Sequence, residues 1–124
     1  MIFDVKWKTC KARLVAGGHR TKAPATITYA SVVSRETVCI ALLMAALDDL
    51  EVKVGDVLNA YITAPITEKV WIVLGSEFGC DAGKTTVIVR ALYGLKSAGA
   101  NFRAHLTSFM RKKGNTSCKA DPDL

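Results

Sequence analysis

The run Val38-Cys39-Ile40-Ala41-Leu42-Leu43-Met44-Ala45-Ala46-Leu47 leaves this chain few ways to fold, because every side chain in it is apolar. Wound into a helix, it has no polar face to turn toward water, so the pattern predicts a helix enclosed by other elements rather than laid on a surface. The run is about half the ~20 residues that cross a bilayer, and no basic-then-apolar leader follows Met1. The expectation is a soluble intracellular chain with no membrane partner. Ser34 is suited to cap the helix, and Glu36 puts negative charge in its first turn, so the helix is expected from about Ser34 to Asp49. Met44 within it reads as packing.

The flanking segments follow other periods. Ile2 to Trp7 alternates apolar and polar side chains, and Lys11 to Ala16 does so less regularly until Gly17-Gly18 interrupts it. Together they predict an antiparallel hairpin carrying Lys6, Lys8, Lys11 and Arg13. The small residues of Thr21 to Ala30, with Pro24 among them, read as a loop. A strand is expected at Leu50 to Val57, then a stretch containing Pro65, then a β-type segment at Lys69 to Leu74. Gly75 to Gly83 reads as a loop and Thr85 to Val89 as a strand. A helix is expected from Ser97 to about Lys113, with Phe102, Leu106, Phe109 and Met110 on one face and Gly114 as its stop. Strands and helices do not strictly alternate, which favours an α+β class with a mostly antiparallel sheet and two main helices.

Length and composition bound the rest. The 124 residues make one small domain at most, or a piece of a larger one. Half are apolar and the mean hydropathy is +0.22, so disorder is excluded as the general state. Seventeen Lys and Arg against eleven Asp and Glu give a charge of +6, which suits phosphate-rich partners. Cys10, Cys39, Cys80 and Cys118 never form a Cys-x-x-Cys pair, so neither a structural zinc site nor a dithiol redox motif is indicated.

Two stretches invite a chemical reading. Gly79-Cys80-Asp81-Ala82-Gly83-Lys84-Thr85 looks like a phosphate loop but has one spacer too few between its glycines, and a β-branched run rather than a helix follows Lys84. A glycine-containing turn is expected there. Gly55-Asp56-Val57-Leu58-Asn59-Ala60-Tyr61 puts an acidic residue at the end of a β-type segment and an aromatic five positions later. A metal-dependent polymerase uses such a pair to bind Mg²⁺ and to fill the space of a ribose 2′-hydroxyl. Taken alone, an Asp after a strand is more often a turn residue or a helix cap.

The neighbourhood changes that balance. Lys11 to Gly18, Tyr29 to Thr37, Asp56 to Tyr61, Ala91-Leu92-Tyr93-Gly94-Leu95-Lys96 and Ala120-Asp121-Pro122 occur in an order and at spacings that resemble the reverse transcriptase of copia-type retrotransposons. The resemblance runs from Ile2 to Leu124. It implies part of a right-hand polymerase, with residues at about 1–50 resembling fingers and about 51–124 palm and fingers, ending before the family's Tyr-x-Asp-Asp hairpin.

By that resemblance Asp56 is the first catalytic aspartate and a Mg²⁺ ligand, and Tyr61 the sugar-discriminating aromatic. Lys11 or Arg13 neutralises triphosphate charge on a fingers strand, and Gly94, Lys96 and Ser97 belong to the block that meets template and primer. Gly94, without a side chain, would let backbone approach a nucleic acid closely. The commonest family continuation is Gln-Ala-Pro-Arg-x-Trp, whereas this chain reads Ser97-Ala98-Gly99-Ala100-Asn101-Phe102.

The implied partners are an RNA template, a DNA primer, dNTP and the remainder of a polyprotein with the rest of the palm, the thumb and the RNase H region. The implied setting is a cytoplasmic particle or the nucleus. Two Mg²⁺ ions would be held by three aspartates in the complete enzyme, of which this sequence carries one, so the chain is expected to be inactive alone. Pro122 between Asp121 and Asp123 gives those two no scaffold for the role. The competing expectation is a non-catalytic retroelement remnant that binds nucleic acid weakly through its charge.

Overall fold

The computed structural model describes residues 2–6, 9–121 and 123. Element order is β1 (Ile2–Lys6), β2 (Thr9–Arg13), α1 (Arg35–Leu47), α2 (Ala60–Thr63), β3 (Pro65–Val73), β4 (Thr85–Arg90) and α3 (Ala98–Lys112), with short 3-10 turns at Gly18–Arg20 and Ser76–Asp81. The mixed class therefore holds. The single sheet does not: the described strands form two separate antiparallel pairs, β1 with β2 and β3 with β4.

The first hairpin pairs Ile2 with Arg13 and Lys6 with Thr9, so its second strand starts two residues before the expected Lys11. Beyond Arg13 the chain runs on to a parallel bridge between Val15 and Tyr93. In the second hairpin, β3 alternates exposed and half-buried residues along its whole length, turning Ile66, Glu68, Val70 and Ile72 inward. It begins four residues before the expected Lys69 because Pro65 opens the strand, where its missing N–H costs no ladder bond. Gly79 and Gly83, both at positive φ, shape the connection to β4. That connection joins strand to strand and Lys84 pairs with Asp81, so the glycine turn expected there is what forms.

The helices obey their termini better than their surroundings. Ser34 caps α1, its hydroxyl accepting from the Thr37 N–H at 3.0 Å, and α3 ends where Gly114 adopts φ +87° and the Asn115 N–H reaches the Met110 carbonyl at 3.1 Å. Enclosure of α1 is not found. None of its thirteen residues is buried, and Ile40 and Leu47 are 62% and 70% exposed. The helix satisfies its own backbone whether or not anything covers it, whereas burial of its side chains needs neighbours that the described residues do not supply. No described helix is long and apolar enough to cross a membrane.

The expected strand at Leu50 to Val57 is likewise absent, the segment being irregular and exposed throughout, with Val54 at 96%. A strand must pair to satisfy its N–H and C=O groups, and nothing among the described residues pairs with it. The core is small: Ala64, Ile88, Ala91, Leu95 and Ala98, backed by Tyr61, Ile66, Val70, Ile72, Leu92 and Phe102. It lies where β3, β4, α2 and α3 meet.

Candidate functional site

The fold draws together residues far apart in sequence around Tyr93. The Ala16 N–H donates to the Tyr93 carbonyl at 2.8 Å, extending the first hairpin along the Ala91-Leu92-Tyr93-Gly94-Leu95-Lys96 block. Two glycines permit this approach. A Cβ on Gly18 would lie 1.9 Å from the Gly94 carbonyl oxygen, and one on Gly94, at φ +87°, would lie 2.1 Å from that of Ala16. Gly94 was expected to admit a nucleic acid; the partner it admits here is the chain's own backbone at Ala16. Gly17-Gly18, read as an interruption, is half of the same seam.

Around this seam the side chains stack. The Arg13 guanidinium sits 5.7 Å from the centre of the Tyr93 ring, within cation–π range. Tyr93 lies 4.7 Å from Tyr61 at 51°, and Tyr61 meets Phe102 edge-on at 6.1 Å and 69°. Tyr61 is carried by α2, a four-residue helix that no sequence period announces. Asn59 at φ +53° turns the chain into it. The Ala91 N–H then bonds the Ala64 carbonyl at 3.0 Å, fixing α2 beside the Tyr93 block.

The other expected site residues are placed less uniformly. Asp56 stands exposed in the irregular segment before α2, and a Cβ added to its neighbour Gly55 would meet nothing within 4 Å. Lys11 pairs through its backbone with Asp4. The exposed Lys96 donates to the Thr21 carbonyl at 2.9 Å. Ser97 is 1% exposed, and its hydroxyl donates to Glu68, the inward-facing carboxylate of β3. The structure thus places the Ser97 hydroxyl in the interior, on Glu68, rather than on the surface of the Ala91–Lys96 block.

The Ala120-Asp121-Pro122 block reaches back to the Tyr29–Thr37 block. The Ser34 N–H donates to Asp121 at 3.4 Å, and the Arg103 Nε donates to Asp123 at 2.6 Å. Bonds from the Asp123 N–H and then the Thr37 hydroxyl hold the Asp121 carboxyl below its ordinary range. The Ser31 hydroxyl, then Arg103, does the same for Asp123. Bonds from the Asp121 and Ala120 backbones lower the Cys118 thiol. Sequence reading gave Tyr93 and Phe102 no part beyond their block and helix face, and Glu68 none at all. Only the β-period of Pro65–Val73, which turns Glu68 inward, signalled the last.

As a metal centre the donor set is incomplete. Among the described residues no group of three or more His, Cys, Asp or Glu side chains is arranged to hold an ion. One exposed carboxylate suits a divalent cation that takes its remaining ligands from phosphate and water, so Asp56 fits as one ligand of a larger set and not as a site by itself. Comparison with known proteins gives an independent result. A family model described as reverse transcriptase (RNA-dependent DNA polymerase) matches residues 2–121, nearly the full sequence. No curated protein and no solved structure matches the chain. The chain therefore belongs to the reverse transcriptase (RNA-dependent DNA polymerase) family, the one found in copia-type elements.

Proposed function

We propose that the chain is the fingers, at about 1–50, and the first part of the palm, at about 51–124, of a copia-type retrotransposon's RNA-directed DNA polymerase. In this reading Arg13 or Lys11 meets the triphosphate of the incoming dNTP, and Tyr61 lies against its sugar. Gly94 and Lys96 border the RNA template and DNA primer, while Ser97, held by Glu68, supports their turn from inside. Asp56 would hold a divalent ion, proposed as Mg²⁺, which when bound neutralises phosphate charge.

The observation that carries this reading is the stack of Arg13, Tyr93 and Tyr61. It joins a cation from β2, a ring from the block after β4 and a ring from the segment after Asp56 in one stack, the groups that recognition of a nucleotide needs. A guanidinium suits phosphate and an aromatic ring suits a sugar face.

Two measurements on the purified chain test it. Template-directed dNTP incorporation is expected to be undetectable, because a single carboxylate leaves the second metal of a two-metal site unsupported. Incorporation that disappears in Asp56→Ala would refute that. Mg²⁺-dependent dATP binding is expected, and is expected to fail in Asp56→Asn; binding indifferent to that change refutes Asp56 as the ligand. Strong, salt-resistant, sequence-selective nucleic-acid binding would instead favour a binding module.

A further inference from the structure

Tyr61 is held by two rings and bordered by a void. Tyr93 lies tilted against it, centroid to centroid at 4.7 Å, and Phe102 meets it edge-on at 6.1 Å. Beyond them Tyr61 lines a cavity of about 520 Å³ that Phe102, Leu106 and Met110 also line. A half-buried ring beside so much room keeps its place only through what holds its other sides. Tyr93 can do this because it is itself fixed twice, by the Ala16 N–H at its carbonyl and by Arg13 over its ring.

We propose that Tyr93 and Phe102 are positioning residues that clamp Tyr61, and that the clamp sets how strongly the chain prefers a deoxyribonucleotide to a ribonucleotide. This rests on the role of Tyr61 proposed above. A ring that discriminates by filling the volume of a 2′-hydroxyl does so only if held to roughly 0.5 Å, since a ring free to yield admits the extra oxygen. Neither clamping residue needs to touch the nucleotide.

The test compares dATP with ATP, which differ only in the 2′-hydroxyl, by equilibrium binding to the full chain with Mg²⁺. Tyr61→Ala is expected to abolish the preference for dATP. Tyr93→Leu is expected to lower it about three- to tenfold, the range of an aromatic pair's contribution, with a smaller change in dATP affinity. Tyr93→Phe, which keeps the ring, is expected to retain it. That rescue is something a merely structural loss would not produce in the ratio of the two affinities.

If Tyr93→Leu keeps the full preference while Tyr61→Ala loses it, the clamp is wrong and the role of Tyr61 stands. If Tyr61→Ala leaves the ratio unchanged, the sugar-facing role fails and the clamp falls with it. Should Tyr93→Leu not fold by circular dichroism, Phe102→Leu, which removes the edge contact but leaves the Ala16 bond intact, is read the same way.

Discussion

Replacing Gly94 by Ala tests the seam that assembles the site, and its cost divides into two parts. Gly94 is at φ +87°, where an L residue loses about 1–2 kcal/mol. The new Cβ would also lie 2.1 Å from the Ala16 carbonyl oxygen. That oxygen belongs to the backbone, not to the end of a flexible side chain, so the two backbones must part and the 2.8 Å bond from the Ala16 N–H to Tyr93 is lost, at about 1 kcal/mol. The sum is roughly 2–3 kcal/mol, which speeds amide exchange at Ala16 by roughly 30- to 150-fold. Two controls separate the parts. Gly114 has the same φ of +87° with nothing within 4 Å, so Gly114→Ala leaves Ala16 unaffected. Gly18 has no positive φ, but a Cβ added there would lie 1.9 Å from the Gly94 oxygen, so Gly18→Ala opens Ala16 through contact alone. Native-state hydrogen exchange reads all three. Unchanged protection of Ala16 in both Gly94→Ala and Gly18→Ala would refute the reasoning.

Ser97→Ala leaves the inward Glu68 carboxylate without its donor, and the chain is expected to lose about 1–3 kcal/mol in urea unfolding. Glu68→Gln, which keeps an acceptor for the hydroxyl, is expected to cost less. The carboxyls of Asp121 and Asp123 lie below their ordinary value of 3.8 when folded, so their contribution is complete above that value and lost as pH falls through the depressed folded values. Amide exchange at Ser34, whose N–H meets Asp121, is therefore expected to keep its protection factor from pH 7 down to about 4 and to lose it only at lower pH.

What the sequence disclosed and what it hid divide along physical lines. The hairpin of β1 and β2, the Ser34 cap, β4 and the stop at Gly114 rest on rules that act within a few residues, and each was legible. The helix α2 was not, because four residues are too few to display a period and its entry depends on Asn59 adopting a left-handed φ. The strand expected at Leu50 to Val57 had suitable side chains but lacks a described partner, and pairing is a property of two segments. For the site, the resemblance picked out Arg13, Tyr61 and the block that contains Tyr93, but no one-dimensional pattern states that the three rings and the guanidinium touch. The bond of Ser97 to Glu68 was hidden for the same reason, since it depends on β3 turning that carboxylate inward.

The two halves of the proposed site are held by different means. Around Tyr93 the chain supplies its own support: a backbone bond, two glycines that allow it, a cation over one ring and a buried core beneath another. Around Asp56 it supplies none of these, since the segment is irregular and exposed, and the apolar helix α1 before it has no fully buried residue. A carboxylate on an unsupported segment loses conformational entropy whenever it is fixed on an ion, whereas a clamped ring loses little on meeting a sugar. The Mg²⁺-dependent part of nucleotide binding in this chain should therefore rest on Asp56, and whatever binding persists without Mg²⁺ on the Arg13–Tyr93–Tyr61 stack. Covering α1 and ordering the segment that follows would have little effect on the stack, because the stack does not rest on them, and would change most what Asp56 can hold.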